Sequence, residues 1–362
     1  MIFYPDAPTI KTVRVPFPLL WHEGGSQLVA PSPLADFFAT AFPTPEDMLK
    51  HPYANWERYV AGLRHKDPAE KEKAALALLV DRKAWFDKFD HVNGQLLPLA
   101  GQIQCDGKIE LFDGHHRAAM LWAKGCKWVT VDVKYVSPSW LALEKSLKAI
   151  AANKRQVYSP IEHPWFDDWP TLRDRTAARE TLIINAVEEY RAGIWSRIWC
   201  DVGCCTGRLC REVSRRGWFA VGLEYEPVFL HAAETLSRGL GAQGTEFFLN
   251  GDFESFLPST SWDYWGCISI LSVLHHWLLQ GGKGDEAFTA AVKLIASSTS
   301  LFVIDIDPAS NGYVSQANTK IPLNQEGFEK WLREVIGCTM VRYLGTVDLG
   351  RPIFLCSRRL SS

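Results

Sequence analysis

The sequence predicts an α/β protein with two domains, the second of which contains an open parallel sheet. Short apolar runs typical of buried strands alternate with helical patterns through the second half of the chain. The first of these strands ends at Asp201 and leads into a turn that contains Gly203 and Gly207. The next strand ends at Glu224, about 20 residues further on, the spacing at which an acidic side chain can bind ribose hydroxyls. Such sheets bind ligands at the carboxyl ends of their strands, so we expect the site there.

Each element of this domain follows from a local pattern. A glycine turn lets a ligand approach the backbone, and the helix that follows offers free N–H groups. The same turn also occurs as a plain connection between strand and helix, so the turn alone does not establish a site. The predicted elements are a strand ending at Asp201, a helix from Arg208, strands at Trp218–Leu223, Glu246–Leu249 and Trp262–Leu271, a helix at Val228–Arg238, and terminal strands at Thr339–Leu344 and Ile353–Ser357 joined by a Gly-Arg-Pro turn.

Polar and aromatic residues follow two of these strands. Asn250–Phe253 brings a carboxylate and an aromatic ring to a strand end where a planar base can lie. Ser272–Trp277 brings His275 and His276 to the same edge of the sheet. An imidazole pKa of about 6.5 suits a general base, and we predict that at least one of the two acts as one. The alternative is that both are structural and pack beside Trp277.

Together these residues resemble the class I S-adenosylmethionine-dependent methyltransferases, and the resemblance covers about Tyr158–Arg359. It implies a Rossmann-like sheet of seven strands closed by an antiparallel hairpin, and S-adenosylmethionine as cofactor. The matching segments are Asp201–Gly207, Val221–Glu224, Gly251–Phe253 and Ile270–His276. Carried over position by position, the resemblance implies cofactor contacts from Asp201, Gly203, Cys205 and Gly207 at the methionine end, Glu224 at the ribose, and Asp252 with Phe253 at the adenine.

A charged helix predicted at Leu172–Arg191 precedes the first strand of this domain. Such a helix commonly caps the cofactor in this fold. Tyr158, Arg175 and Arg179 are therefore candidates to bind the cofactor carboxylate or an anionic substrate. For the two arginines, a solvated helix face without a function is the alternative.

Cys205 stands where many members of that family have glycine. The Gly-Cys-x-x-Gly turn at 203–207 resembles the branch that includes the O-antigen chain-terminating methyltransferases and the RNA 5′-phosphate methyltransferases. A dehydrogenase is the main alternative for a glycine turn followed by a ribose-binding acid. The glycine spacing does not fit a dehydrogenase, and the sheet has no second dinucleotide-binding half.

Composition sets further bounds. The 362 residues suffice for two domains, and a net charge of −2 gives no global field that would attract nucleic acid. The apolar runs are too short to span a bilayer, and no basic-then-apolar leader follows Met1, so we expect a cytoplasmic protein.

Nine cysteines fit a reducing compartment. Four of them lack the paired C-x-x-C spacing of zinc sites, so we predict buried thiols and no metal: Cys200, Cys204, Cys205 and Cys210.

The N-terminal domain, which we place at residues 1–150, has a signature of its own at Asp113–Arg117. The pattern predicts a strand ending at Phe112, a turn, and a helix from about His116 to Lys124. Two histidines and an arginine at a helix N-terminus favour an anionic group such as phosphate. The plain alternative is a helix start capped by Asp113, with Arg117 on the surface.

This turn resembles the ParB/sulfiredoxin-like fold, in which a Gly-x-x-Arg turn binds nucleotide phosphates, and its Asp-Gly-His-His-Arg form is similar to the free-serine kinases of that fold. The resemblance implies an α+β domain that binds ATP or ADP with Mg²⁺ through Asp113, Gly114, His115, His116 and Arg117. It also implies an early acidic base, for which Glu23 is the candidate. The helix-rich stretch Thr44–Phe89 is then an insertion into the family core. Chromosome partition proteins share this fold, but they carry a DNA-binding helix-turn-helix where this chain has a methyltransferase-like domain.

The sequence therefore predicts an enzyme that transfers a methyl group from S-adenosylmethionine to an oxygen of a polar small molecule or glycan, phosphorylated or not. The N-terminal domain would bind nucleotide or phosphate and is a candidate kinase. A binding or scaffold protein with a degenerate methyltransferase fold is the competing class. The acids and glycines kept together at the predicted cofactor positions argue against it. Nothing in the pattern sets the oligomeric state.

Overall fold

The computed structural model describes residues 9–22, 26–27, 33–154, 160–169, 176–194, 196–240, 245–257, 264–278, 283–308, 319–347 and 350–359. The chain divides into two compact units, Met1–Leu141 (unit 1) and Ala142–Ser362 (unit 2), and each has its own sheet. The division falls within helix α6, Pro138–Lys154, close to the predicted boundary at residue 150. No helix in the described ranges is both long and apolar enough to cross a membrane.

Unit 1 is a six-stranded mixed sheet with helices. Its strands are β1 (Lys11–Pro16), β2 (Leu20–His22), β3 (Ser26–Gln27), β4 (Leu99–Ile103), β5 (Ile109–Asp113) and β6 (Trp128–Val136), in the order β1-β6-β4-β5-β2-β3. Its helices before α6 are α1 (Pro33–Ala39), α2 (Ala54–Gly62), α3 (Pro68–Lys88), α4 (His91–Leu96) and α5 (His115–Ala123).

The helix-rich stretch Thr44–Phe89 contains α2 and α3, as the sequence predicts. Asp67 begins α3 because its carboxylate accepts hydrogen bonds from the first free N–H groups, those of Ala69 and Glu70. Apolar side chains from α1, α3 and α5 then share one core, which includes Phe38, Leu79 and Met120. This packing brings α2 and α3 into the same helical layer as the start of α5.

Unit 2 is a seven-stranded sheet, which confirms the predicted Rossmann-like architecture. Its strands are β7 (Ile198–Val202), β8 (Phe219–Glu224), β9 (Glu246–Asn250), β10 (Trp265–Ile270), β11 (Thr299–Asp305), β12 (Met340–Val347) and β13 (Arg351–Ser357), in the order β12-β13-β11-β10-β7-β8-β9. Its helices after α6 are α7 (Thr176–Glu188), α8 (Arg208–Arg215), α9 (Pro227–Gly239), α10 (Phe253–Phe256), α11 (Gly284–Ser298) and α12 (Gln325–Glu334).

The five strands from β11 to β9 run parallel, so their carboxyl ends meet at one edge. β13 pairs antiparallel with β11 and with β12, which gives the predicted terminal hairpin. One detail of that hairpin was wrong: Arg351 and Pro352 lie in β13 and pair with β12, and are not part of a turn. Apolar side chains cover both faces of the sheet, with Ile268 in the core on one side and Trp199 in the core on the other.

Candidate functional site

The loop between β7 and α8 has the backbone geometry that its glycines predict. Gly203 and Gly207 have φ angles of 71° and 72°, in the left-handed region that favours glycine. A Cβ at Gly203 would lie 2.5 Å from Val273 Cγ2, and one at Gly207 would lie 2.5 Å from Phe248 Cε1. Space and backbone conformation therefore both restrict these positions to glycine.

Glu224 lies opposite this loop at the end of β8 and is bonded to it. Its carboxylate accepts hydrogen bonds from the backbone N–H of Cys205 at 2.7 Å and of Glu226 at 2.9 Å. The Cys205 residue itself has a φ of 52°, an uncommon value outside glycine. Each carboxylate oxygen has a second lone pair, so these bonds leave Glu224 able to accept from a ligand.

A cavity of about 660 Å³ opens at this edge of the sheet. Residues that follow four of the parallel strands meet around it, so it lies where the alternation of strands and helices predicts. Its lining includes Gly203, Cys205, Glu224, Tyr225, Phe229, Asp252, Phe253, Ser272, Val273, His276, Trp277 and Lys283.

Asp252 and Phe253 both line this cavity, and each also has a structural role. The carboxylate of Asp252 caps α10 by accepting from the backbone N–H of Ser255 at 2.9 Å, and this bond lowers the pKa of Asp252. Phe253 is 4% exposed and stacks on Trp277 with ring centroids 5.8 Å apart. The cavity therefore has an acidic edge and an aromatic wall side by side.

Asp201 and Arg179 line a second, smaller cavity of about 40 Å³ that shares Gly203 and Cys205 with the large one. Burial raises the pKa of Asp201 to about 7, although its carboxylate accepts a hydrogen bond from Ser269 Oγ at 2.7 Å. Arg179 is 7% exposed, and its Nε and Nη1 are buried without a hydrogen-bond partner. Buried guanidinium nitrogens without hydrogen-bond partners are costly, so Nε and Nη1 are suited to an anionic partner such as a carboxylate.

The two candidate bases have different surroundings although their ring centroids are only 4.1 Å apart. His276 is exposed and lines the large cavity. His275 is 3% exposed and lies 3.4 Å from the guanidinium of Arg351, which also donates to the carboxylate of Asp307 at 2.7 Å. Of the pair, His276 is therefore the one at the cavity surface.

Sequence reasoning missed the polar residues that hold the end of β10. Ser272 lines the large cavity with a φ of 62°, and its backbone N–H and hydroxyl both donate to the carboxylate of Asp305. Strained residues held by such bonds are common at functional sites. The segment Asp305-Ile-Asp307 at the end of β11 was the available signal, since acids at the carboxyl end of a parallel strand reach the site edge.

The predicted phosphate-binding residues of unit 1 also meet at a cavity, of about 320 Å³. Gly114, with a φ of 85°, begins helix α5, and its backbone N–H donates to Asp113 Oδ1. Arg117 donates to the carbonyl of Pro98 at 2.8 Å, and His115 Nε2 lies 2.8 Å from the carbonyl of Leu111. The lining is Arg82, Trp85, Asp113, Gly114, His115, His116 and Arg117.

Three predicted site residues, Glu23, Tyr158 and Arg175, lie outside the described residues. Of the predicted thiols, Cys200, Cys204 and Cys210 are buried and Cys205 is partly exposed, and none of the nine cysteines forms a disulfide. The described ranges contain no group of three or more His, Cys, Asp or Glu side chains arranged to hold a metal ion.

Comparisons with known proteins agree with this geometry in unit 2. Residues 200–303 match the family model described as "Methyltransferase domain". No curated protein sequence matches the chain significantly. The second unit therefore contains a methyltransferase domain.

Several solved structures are similar at low identity. The bifunctional kinase-methyltransferase WbdD aligns at 19% identity and a TM-score of 0.46, over 59% of this chain and 46% of that chain. Magnesium protoporphyrin IX methyltransferase from Synechocystis PCC 6803 aligns at 16% identity and a TM-score of 0.36, over 50% of this chain and 80% of that chain. The chain thus spans less than half the length of the WbdD chains that it matches.

Proposed function

We propose that unit 2 transfers a methyl group from S-adenosylmethionine to an oxygen atom of a polar small molecule or glycan. The large cavity carries this proposal, because Glu224, Asp252 and His276 line one space at the carboxyl edge of a methyltransferase sheet. Two acids suit the hydroxyl and amino groups of an adenosine, and the imidazole suits a hydroxyl that must lose its proton.

The residues around both cavities fit the cofactor. Glu224 would bind the ribose hydroxyls, and Asp252 with Phe253 would bind the adenine. Gly203 and Gly207 place no side chain at their own positions in the loop, and Arg179 would pair with the carboxylate of the methionine end. The unpaired Nε and Nη1 of Arg179, both buried beside Asp201, support this last assignment.

S-adenosylmethionine supplies, when bound, an electrophilic methyl group on a sulfonium. The chain itself must align the acceptor, keep water out and take up a proton. We assign proton uptake to His276 because it is exposed to the cavity. The buried His275 ring packs against it at a tilt, and Phe253 and Trp277 form an apolar wall that limits water.

For unit 1 we propose a ParB/sulfiredoxin-like domain that binds nucleotide or another phosphate-bearing ligand, with kinase activity as the corresponding reaction. Its cavity is lined by Arg82 of α3 and by three residues at the N-terminus of α5, which are His115, His116 and Arg117. Positive side chains, free N–H groups and the helix dipole all favour an anion there. A kinase in unit 1 would make the acceptor of unit 2 a phosphorylated compound.

Binding of S-adenosylhomocysteine to the purified full-length chain is the first test, because every form of the methyltransferase proposal requires it. The second is a screen for methyl transfer to sugars and amino acids, each offered with and without a phosphate group. We expect micromolar binding and at least one accepted hydroxyl or phosphate compound. A folded protein that binds neither S-adenosylhomocysteine nor S-adenosylmethionine would overturn the proposal.

A further inference from the structure

Unit 1 contains a buried carboxylate that the proposed function has not used. Glu57, on α2, is 0% exposed, and its Oε1 accepts a hydrogen bond from the hydroxyl of Tyr53 at 2.6 Å. The guanidinium Nε of Arg82 lies 3.5 Å from the same oxygen. Glu57 Oε2 and Arg82 Nε are both buried without a hydrogen-bond partner. A carboxylate in this position is costly unless a positive charge compensates it, and Arg82 supplies that charge.

Tyr53 extends the influence of this carboxylate to a histidine. The hydroxyl of Tyr53 lies 2.8 Å from His116 Nε2, across a sequence separation of 63 residues. Burial and the neighbouring Glu57 charge raise the pKa of Tyr53 well above its usual value, so the hydroxyl keeps its proton. That single proton is donated to Glu57. Tyr53 can therefore only accept from His116, which requires a hydrogen on His116 Nε2.

The two side chains that Glu57 holds both line the 320 Å³ cavity. Arg82 forms an ion pair with Glu57. His116 is connected to Glu57 by hydrogen bonds through the hydroxyl of Tyr53. Arg117 and the start of α5 line the same space. Arg82 and Trp85 of α3, and thus of the helical stretch Thr44–Phe89, complete a cavity that otherwise belongs to the β5–α5 turn.

We propose that Glu57 is the positioning residue of a phosphate site in unit 1, where Arg82 is a further phosphate-binding group and His116 is held as the Nε2-protonated form. This proposal rests on the proposed phosphate-binding function of the cavity. A guanidinium that turns one edge to Glu57 keeps its other nitrogens for a ligand, and its position is then fixed before a phosphate arrives. The ligand class is a phosphate ester or diphosphate, bound between Arg82 and the start of α5.

Paired substitutions test the two parts of the proposal in the full-length chain. Tyr53→Phe removes the hydroxyl that joins Glu57 to His116, and Tyr59→Phe is its control, because Tyr59 is 59% exposed on α2. Arg82→Gln removes the proposed ligand, and Lys88→Gln removes one exposed charge from the same helix. Calorimetry with ADP and with pyrophosphate measures affinity. Nitrogen-15 NMR of the histidine rings measures which nitrogen carries the hydrogen, with His116→Gln to assign the signal.

We expect Arg82→Gln to weaken binding of both probes by about tenfold or more, the value of one charge-assisted hydrogen bond, and Lys88→Gln to leave it within about twofold. Tyr53→Phe should release His116 from the Nε2-protonated form and weaken binding severalfold, while Tyr59→Phe changes neither. A wild-type His116 with its hydrogen on Nδ1 alone would overturn the positioning role, since it needs no ligand to be measured. If the wild type binds the probes and Arg82→Gln binds them equally well, the phosphate role of Arg82 is wrong. A wild type that binds neither probe overturns the phosphate function of unit 1 itself.

Discussion

The large cavity of unit 2 and the cavity of unit 1 start from the same local geometry and differ in the charge of their walls. In each unit a strand leads through a left-handed glycine into a helix, at Gly114 before α5 and at Gly207 before α8. In unit 2 the residues around that turn are mainly acids, with Glu224 and Asp252 in the large cavity. In unit 1 they are mainly bases, among them Arg82 and Arg117.

This difference shows that a glycine turn supplies access and that the side chains around it select the ligand. Acidic walls accept hydrogen bonds from hydroxyl and amino groups, as an adenosine requires. Basic walls together with free helix N–H groups favour phosphate. A change of charge at one cavity should therefore alter the affinity for the ligand of that cavity and leave the affinity of the other cavity unchanged.

The largest effect should come from the base of unit 2. His276→Gln should lower methyl transfer to an alcohol by about 100- to 10,000-fold, because a hydroxyl needs a proton acceptor. The measurement is the transfer rate across about pH 5.5 to 8.5, the range in which histidine titrates, after cofactor binding has been verified. His231→Gln, an exposed position on α9, is the control.

A small loss in both His276→Gln and the double variant His275→Gln/His276→Gln would count against an alcohol acceptor. A phosphate oxygen is already anionic at neutral pH and needs no base. A small loss combined with strict dependence on prior phosphorylation of the acceptor would instead support a phosphorylated substrate. This experiment thus sharpens the comparison, because it asks whether the product of a kinase in unit 1 is used in unit 2.

Removing an acid from unit 2 should have the next largest effect. A pair of charge-assisted hydrogen bonds contributes about 2 to 3 kcal/mol, so Glu224→Ala should weaken S-adenosylmethionine binding by about 30- to 150-fold. Calorimetry measures this loss, with Glu234→Ala on the exposed face of α9 as control. Because Glu224 also bonds the backbone of Cys205, the ligand-free melting temperature must be measured too. Unchanged affinity in a folded variant would contradict the ribose assignment.

Removing a basic side chain from unit 1 should weaken the binding of nucleotide and leave the binding of S-adenosylhomocysteine unchanged. A ligand at 100 times its dissociation constant stabilises a folded unit by about 2.7 kcal/mol, which appears as a shift of its melting curve. Arg117→Ala should abolish the shift produced by ADP and keep the shift produced by S-adenosylhomocysteine, whereas exposed Arg64→Ala should keep both. If millimolar ATP, ADP and CTP all leave the wild-type curve unchanged, unit 1 does not bind nucleotides.

The smallest effect concerns pH and the buried Asp201. Its pKa is raised to about 7 by burial, above the ordinary value of 3.8, so the folded form holds a proton that the unfolded form loses. Stability without ligand should therefore fall as pH rises from about 4 to about 7. Asp201→Asn should make this decline shallower in thermal unfolding. Part of the decline with pH should persist in this variant, because burial also raises the pKa of Glu180 to about 7. An unaltered decline would show that Asp201 is ionised in the folded protein.

Much of the fold and part of the candidate site could be predicted because they depend on local pattern. Strand periodicity and glycine turns indicate where each strand ends at the edge of the sheet. For this reason Gly203, Glu224 and His276 meet at one cavity. The number of strands in the sheet, seven, was implied by the resemblance to class I methyltransferases. The roles assigned to these residues remain predictions.

The rest depends on packing between distant segments, which a single sequence does not encode locally. Nothing near His275 indicates that it would be buried against Arg351, because β13 brings that arginine from the end of the chain. The link from Glu57 through Tyr53 to His116 is equally invisible, since each residue looks like an ordinary helix or cap position. Such contacts appear only when the helices of unit 1 are packed on one another.

The bond between Glu224 and the backbone of Cys205 has a consequence for the rate at which a ligand enters. The glycine loop is already tied to the end of β8 at 2.7 Å, so little backbone entropy remains to be lost when an adenosine arrives. A site of this kind should bind in one kinetic step, with an observed rate that rises linearly with ligand concentration. Cutting that bond would leave a loop that must order on binding, and the rate would then level off at high concentration.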